Sequence, residues 1–290
     1  MAEGLMKAIE EHRVPCSVNA AYYVPNFISA EEEEYLLRKI SETPRPKWRE
    51  VSHRRLQVWG GNIDLKSDAL LPEPMPSFLR DYPYLLTRLK NTGVFDRASC
   101  VEKAPNHVIL NEYPAGIGIM PHEDGPSYYP VVATISLGSH TVMNYYRYRP
   151  DCSTHSDGSV HSADACISFQ DATSSGRSID PQPVLTLLLE PRSLVVTTSE
   201  LYTNHLHGID DITSDSFQPP DAAALSGSDE SNTKESNTFA IANYGLLGSS
   251  MYSSAVEGRG TLERTSRTSL TCRVVEKVMG GIGRIARPRG

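Results

Sequence analysis

His122-Glu123-Asp124 sets an imidazole and a carboxylate two positions apart. On an extended segment they point to one side and Glu123 to the other. A second histidine from elsewhere in the chain would complete a set of two imidazoles and one carboxylate. That set holds non-haem Fe(II) and leaves open positions, which oxygen chemistry requires. His205 and His207 both qualify, because they lie two apart on one strand-like run and share a face. Spacing does not choose between them. Zinc accepts the same ligand types, so a metal-bound, non-catalytic interaction protein is an alternative at this point. His12, His53, His107, His140, His155 and His161 read as surface or loop side chains.

Two further pairs accompany the candidate ligands in sequence order: Asn111-x-Tyr113 upstream and Arg267-x5-Arg273 downstream. Arginines six apart on a strand share a face. A planar guanidinium grips a carboxylate with two parallel hydrogen bonds, so such a pair suits a dicarboxylate with one end on a metal.

With N-x-Y, H-x-D, a distal His and R-x5-R in this order, the chain resembles the AlkB family of Fe(II)- and 2-oxoglutarate-dependent dioxygenases. The stretches Gly118–Pro126, Arg55–Gly61, Ile135–Thr141 and Leu189–Leu194 carry the same likeness, which covers roughly residues 20–275. The resemblance implies Fe(II), 2-oxoglutarate and O2 as cofactor and cosubstrates, and oxidative N-demethylation of alkylated DNA or RNA. It favours His207, within Leu206-His207-Gly208-Ile209, as the third ligand beside His122 and Asp124. It also implies that Arg267 and Tyr113 hold the distal carboxylate of 2-oxoglutarate, with Arg273 and Asn111 near the chelating end. Ser269 stands where the family often has asparagine. The family's nucleotide-recognition lid falls on Pro44–Leu56, where Arg45, Lys47, Arg49, Arg54 and Arg55 are interleaved with Trp48 and followed by Trp59. Basic groups among aromatics suit phosphate contact and base stacking. The two tryptophans serve equally well as anchors for the lid. The expected partner is nucleic acid that is single-stranded, or has its target base flipped out. The alternative within the same chemistry is an oxygenase acting on a protein or small molecule, which the acidic net charge supports.

The elements that would position these residues are mostly strands. His107–Tyr113, Val131–Leu137, Val142–Tyr148, Val184–Glu190, Ser193–Thr198, Asn204–Ile209 and Arg267–Val275 are short and rich in β-branched or aromatic residues, with Thr238–Tyr244 as an eighth. Such a set predicts a mainly β fold with a jelly-roll core, the double-stranded β-helix that the resemblance implies, preceded by N-terminal helices and a lid. Ser29-Ala30-Glu31-Glu32 is a capping box, so the acidic run Glu31–Glu34 reads as a helix start. A second helical stretch near Ser77–Lys90 is broken by Pro83. Residues 1–104 form an N-terminal helical extension and lid, 105–276 the oxygenase domain, and 277–290 a basic tail carrying Arg284, Arg287 and Arg289. Insertions near 150–183 and 210–237 are rich in Ser, Asp, Gly and Pro, and predict mobile segments carrying much of the negative charge.

Composition agrees with a globular protein: 39% hydrophobic and 22% charged residues over 290 positions. The net charge of −7 argues against nonspecific wrapping of nucleic acid, though not against a local basic groove. Cys16, Cys100, Cys152, Cys166 and Cys272 show no C-x-x-C pair and read as reduced thiols. Neither a signal peptide nor a run long enough to cross a bilayer is found, so a monomer in the cytoplasm and nucleus is expected, without membrane association.

Overall fold

The computed structural model describes residues 9–16, 21–64, 66–149, 177–217 and 240–279. In chain order the elements begin with β1 (Ala21–Val24), α1 (Ala30–Ser41), β2 (Arg49–Val51), β3 (Arg54–Trp59), β4 (Gly61–Asp64), β5 (Ala69–Pro72), α2 (Ser77–Arg80) and α3 (Leu85–Asn91). The barrel region follows with β6 (His107–Tyr113), β7 (Ile119–His122), β8 (Val131–Gly138), β9 (Thr141–Arg147), β10 (Leu185–Leu189), β11 (Leu194–Thr198), α4 (Ser199–Thr203) and β12 (His205–Ile209). The last elements are β13 (Ser214–Ser216), α5 (Ser250–Glu257), β14 (Thr261–Glu263) and β15 (Arg267–Arg273).

Two antiparallel sheets form the jelly roll. The larger runs β1-β11-β8-β15-β6-β3-β2 and the smaller β10-β9-β12-β7. Residues of both sheets share one apolar cluster, with Tyr23 and Val195 packed among Met143, Tyr145, Leu187 and Ile209. The outer face of the large sheet is covered by the helices through Leu36, Ile40, Leu79, Leu85 and Leu89. Coverage on both faces explains why β8 and β15 read as unbroken buried runs without alternation.

The N-terminal segment contributes three strands (β1, β3 and β2) to the large sheet, so no break in hydrogen bonding falls at residue 104. The capping box forms as expected: Ser29 Oγ accepts from the Glu32 amide and Glu32 accepts from the Ser29 amide. The same glutamates also reach across the fold. Glu32 pairs with Arg88 at 2.9 Å, and Glu33 accepts from the Gly138 amide at 2.8 Å and from Arg192 at 3.0 Å, fixing α1 to the large sheet. The stretch near Ser77–Lys90 resolves into two short helices on either side of Pro83.

The expected eighth strand is absent from the described part of 238–244. Residues 242–243 turn, and Tyr244–Leu246 is a 3-10 helix. Asn243 replaces a strand partner: its buried side-chain amide donates to the Leu188 carbonyl at 2.8 Å and accepts from the Leu188 amide at 3.0 Å, satisfying the edge of β10.

The start of the second insertion is not loose. Asp211 accepts from the Gly118 amide at 2.6 Å, and β13 pairs with β14. Asp215, on β13, lies buried between Arg264 (2.6 and 2.7 Å) and His140 (3.1 Å). His140 is therefore an interior residue and not a surface one, and the Asp215 charge is neutralised within the fold. Residues 218–239, 150–176 and the tail arginines Arg284, Arg287 and Arg289 lie outside the described residues, as do Cys152 and Cys166. Among the described residues no helix is long and apolar enough to cross a membrane.

The Asp215 clasp gives a pH signature. Burial alone would raise its carboxyl, but the hydrogen bonds from Arg264 and His140 outweigh this and hold it below the ordinary aspartate value. A carboxyl depressed in the fold stabilises above its unfolded value of roughly 4 and loses that contribution as pH falls through the lower folded value. Asp215→Asn should therefore cost about 3 kcal/mol at pH 7 in urea denaturation, because it leaves Arg264 buried without its counter-ion. The gap between variant and wild type should close on acidification. Equal stability at neutral pH would remove the clasp from the account.

Candidate functional site

A cavity between the sheets is lined by alternate residues of β15, namely Arg267, Ser269, Thr271 and Arg273, and by Asn111 and Tyr113 of β6. The ladder between these strands sets Arg267 beside Tyr113, Ser269 beside Asn111, and Arg273 beside His107. His107 is thus buried under Arg273 and is not a surface side chain; its imidazole is pushed down to about 4, by burial first and then by the Arg273 charge.

Across the cavity, β7 and β12 pair with His122 directly opposite His207, their ring centroids 4.4 Å apart. Asp124 follows the end of β7, and one ligating atom from each of His122, Asp124 and His207 falls within 4.8 Å of the others. His205 is held elsewhere, with its Nδ1 2.8 Å from the Glu200 carbonyl in α4. Of the two histidines, His207 is the one that converges with His122 and Asp124. His122 Nδ1 lies 2.8 Å from the Met120 carbonyl, an acceptor. That contact places the ring proton on Nδ1 and leaves Nε2 with its lone pair for a metal.

Burial pushes the His207 imidazole down to about 4 and also lowers His122, so both are neutral near pH 7, as ligation requires. For Asp124, burial would raise the carboxyl. The Arg273 guanidinium, by its charge first and also by its hydrogen bond, overcomes it and keeps the group ionised. Asp124 also pairs directly with Arg273. Two neutral imidazoles and one carboxylate converging at the rim of a cavity form the hard-to-intermediate donor set that suits Fe(II).

The arginines carry a second signature. Arg267 is 4% exposed, donates to Ser136 Oγ at 2.9 Å, and among the described residues has no carboxylate partner. Its Nε is buried without a hydrogen-bond acceptor, as are Nε and Nη1 of Arg273. Burial lowers the Arg267 guanidinium to about 10. Unsatisfied donors on buried cations are costly and rare, and the missing partner they call for is an anion with several acceptor oxygens. Arg267 and Arg273, six residues apart on one strand face, fit the two ends of a dicarboxylate.

All eight residues expected at the site line this one cavity. Glu123 points away from it, accepting from the Tyr148 hydroxyl at 2.9 Å. The basic stretch is divided by strand alternation. Arg55 pairs with Glu112 at 2.8 Å and stacks on Trp48, whereas Arg54 turns to the cavity side, with Nε 3.4 Å from Asn111 Oδ1. Trp48 and Trp59 are partly buried and pack against the helical core, as anchors for this stretch would. Ser136, Tyr128 and Tyr202 were not anticipated. Tyr128 flanks Arg273 at 4.9 Å, and Tyr202 donates to the Gly125 carbonyl at 2.5 Å, bracing the turn that presents Asp124. No motif spacing marks these three. Only their positions on cavity-facing strands and loops do.

No family model matches the chain. A Danio rerio protein named probable RNA/DNA demethylase ALKBH6 is 37% identical over 201 residues, 69% of this chain and 74% of that protein. An Arabidopsis thaliana protein, the alkylated DNA repair protein ALKBH8 homolog, is 27% identical over 190 residues, 63% of this chain and 49% of that one. The solved structure of OsALKBH1 superposes with a TM-score of 0.43 at 13% identity, over 88% of this chain and 96% of that one.

Proposed function

The chain belongs to the AlkB family of 2-oxoglutarate- and Fe(II)-dependent oxygenases, and from that premise we propose that it oxidatively removes N-methyl groups from the bases of DNA or RNA. The observation that carries the proposal is the pairing of a His122–Asp124–His207 cluster of two neutral imidazoles and one carboxylate with two buried arginines that each keep donors without an acceptor. A structural zinc site accounts for the first half of that arrangement and leaves the second unexplained.

His122, Asp124 and His207 would hold the iron. Arg267, with Tyr113 across the ladder, would take the distal carboxylate of 2-oxoglutarate. Arg273 and Asn111, one step deeper, would meet the end that reaches the metal, with Ser269 between the two. When bound, Fe(II), 2-oxoglutarate and O2 together supply an oxidant that hydroxylates a C–H bond, with succinate and carbon dioxide as co-products. An N-methyl group hydroxylated in this way is a hemiaminal, which releases formaldehyde and leaves N–H. The residues of the chain do the positioning. The Arg273–Asp124 pair keeps the carboxylate charged, and burial keeps both imidazoles deprotonated. To reach the cavity lined by His122, Asp124 and His207, the target base would be presented single-stranded or flipped out of a duplex.

Purified protein supplied with Fe(II) and 2-oxoglutarate should form succinate and formaldehyde faster with methylated single-stranded oligonucleotides than with unmethylated ones. Normal 2-oxoglutarate binding without stimulation by any methylated oligonucleotide would move the substrate to a protein or small molecule.

A further inference from the structure

Among the described residues, Arg54 is a guanidinium at the edge of this cavity, touching its lining residue Asn111, that neither the metal cluster nor the dicarboxylate pair uses. It is half-buried on β3, with its Nε 3.4 Å from Asn111 Oδ1. Among the described residues no carboxylate pairs with it. The nearby acids are engaged elsewhere: Glu112 with Arg55, Asp124 with Arg273, and Glu123 with Tyr148. Asn111, which Arg54 contacts, lies beside Ser269 on the ladder with β15 and lines the cavity together with Tyr113 and His122. A guanidinium here has donors for two acceptor atoms and a positive charge that repels another cation.

Methylated bases divide on that property. Adenine methylated at N1 and cytosine methylated at N3 are cationic at neutral pH. Thymine methylated at N3 and guanine methylated at N1 stay neutral and carry a carbonyl beside the methylated nitrogen. Resting on the demethylase reading above, we infer that Arg54 is the specificity-determining residue of this site, favouring a neutral N-methylated oxo base by donating to its carbonyl and disfavouring a cationic one. Its neighbours on β3 show that the placement is specific. Arg55, one residue on, projects to the opposite face and is neutralised there.

The test uses the full chain loaded with Mn(II) and 2-oxoglutarate without oxygen, titrated with oligonucleotides carrying one 3-methylthymine, one 1-methyladenine or neither. Wild type should bind the 3-methylthymine strand roughly ten-fold more tightly than the 1-methyladenine strand. Arg54→Gln keeps an amide donor and removes the charge, and should bring the two to within about two-fold by improving the cationic base. Its melting temperature and its 2-oxoglutarate affinity should match wild type. Equal or tighter binding of 1-methyladenine by wild type, an equal effect of Arg54→Gln on both strands, or no preference of either strand over the unmethylated one would each overturn the inference. Retained selectivity without turnover of any methylated strand on iron loading would instead remove the demethylation reading and leave Arg54 as a base-selecting residue.

Discussion

Asp124→Asn should lower Fe(II) affinity by more than about 100-fold, above the 10–100-fold that loss of an outer partner of a metal ligand costs. The variant keeps the side-chain shape and an oxygen able to accept from Arg273, so it isolates the negative charge. In the wild type that charge serves two cations: the guanidinium of Arg273 and the metal to which Asp124 is presented beside His122 and His207. Asp124→Ala should lose iron equally and also lose stability, because it strands the Arg273 charge in the interior. His207→Ala should behave like Asp124→Asn, whereas His205→Ala should bind iron as wild type does, because that ring is spent on the Glu200 carbonyl. Calorimetric or spectroscopic titration with Fe(II) under anaerobic conditions measures all four. Iron affinity unchanged in Asp124→Asn, or lost in His205→Ala, would mean that the cluster is not the metal site.

The ligand set was legible because its chemistry is local in sequence or repeats at strand period. His122 and Asp124 sit two apart, and Arg267, Ser269 and Arg273 fall on one face of a seven-residue strand. The strands of the jelly roll were legible where β-branched residues run together, as in Val131–Leu137. They were not where the run is short or polar. β7 is four residues containing Met120 and Pro121, and β3 opens with two arginines. Reading β3 as a strand would have separated Arg54 from Arg55 at once, because alternation sends them to opposite faces. Composition misled at Asp215. A Ser- and Asp-rich stretch predicts solvent, yet this carboxylate is buried against an arginine 49 residues away in sequence, and neither partner betrays the other. His107 and His140 failed for the same reason: a histidine's environment is set by what packs over it, not by its neighbours in the chain. The choice between His205 and His207 needed three dimensions, since only the ladder with β7 distinguishes them.

Arg267→Met should abolish detectable 2-oxoglutarate binding and, in the ligand-free protein, raise stability. The first effect follows from losing a buried, forked cation aimed at a carboxylate; removing one partner of such a pair costs about 3–5 kcal/mol, or roughly 100- to 4,000-fold in affinity. The second follows from the state of the residue before any ligand arrives. Arg267 is buried, lacks a carboxylate partner among the described residues and holds an unsatisfied Nε. Burial moves its guanidinium from an ordinary value of 12.5 down to about 10. A base whose folded value lies below its unfolded one opposes folding at every pH below the folded value, and so throughout the physiological range. Methionine fills similar space without the charge or the stranded donor, and should stabilise the ligand-free fold by about 1–3 kcal/mol. Arg267→Lys should rescue neither property fully, because a point charge on a flexible stem cannot reproduce the two-pronged donor. Thermal melting with and without 2-oxoglutarate separates the cases. Wild type should gain stability on adding the dicarboxylate, while Arg267→Met should start higher and gain nothing. A variant that melts below wild type without ligand would show that Arg267 is a structural residue whose Ser136 contact matters more than its charge. The opposite result would show a site kept at a cost to the fold until its anion arrives.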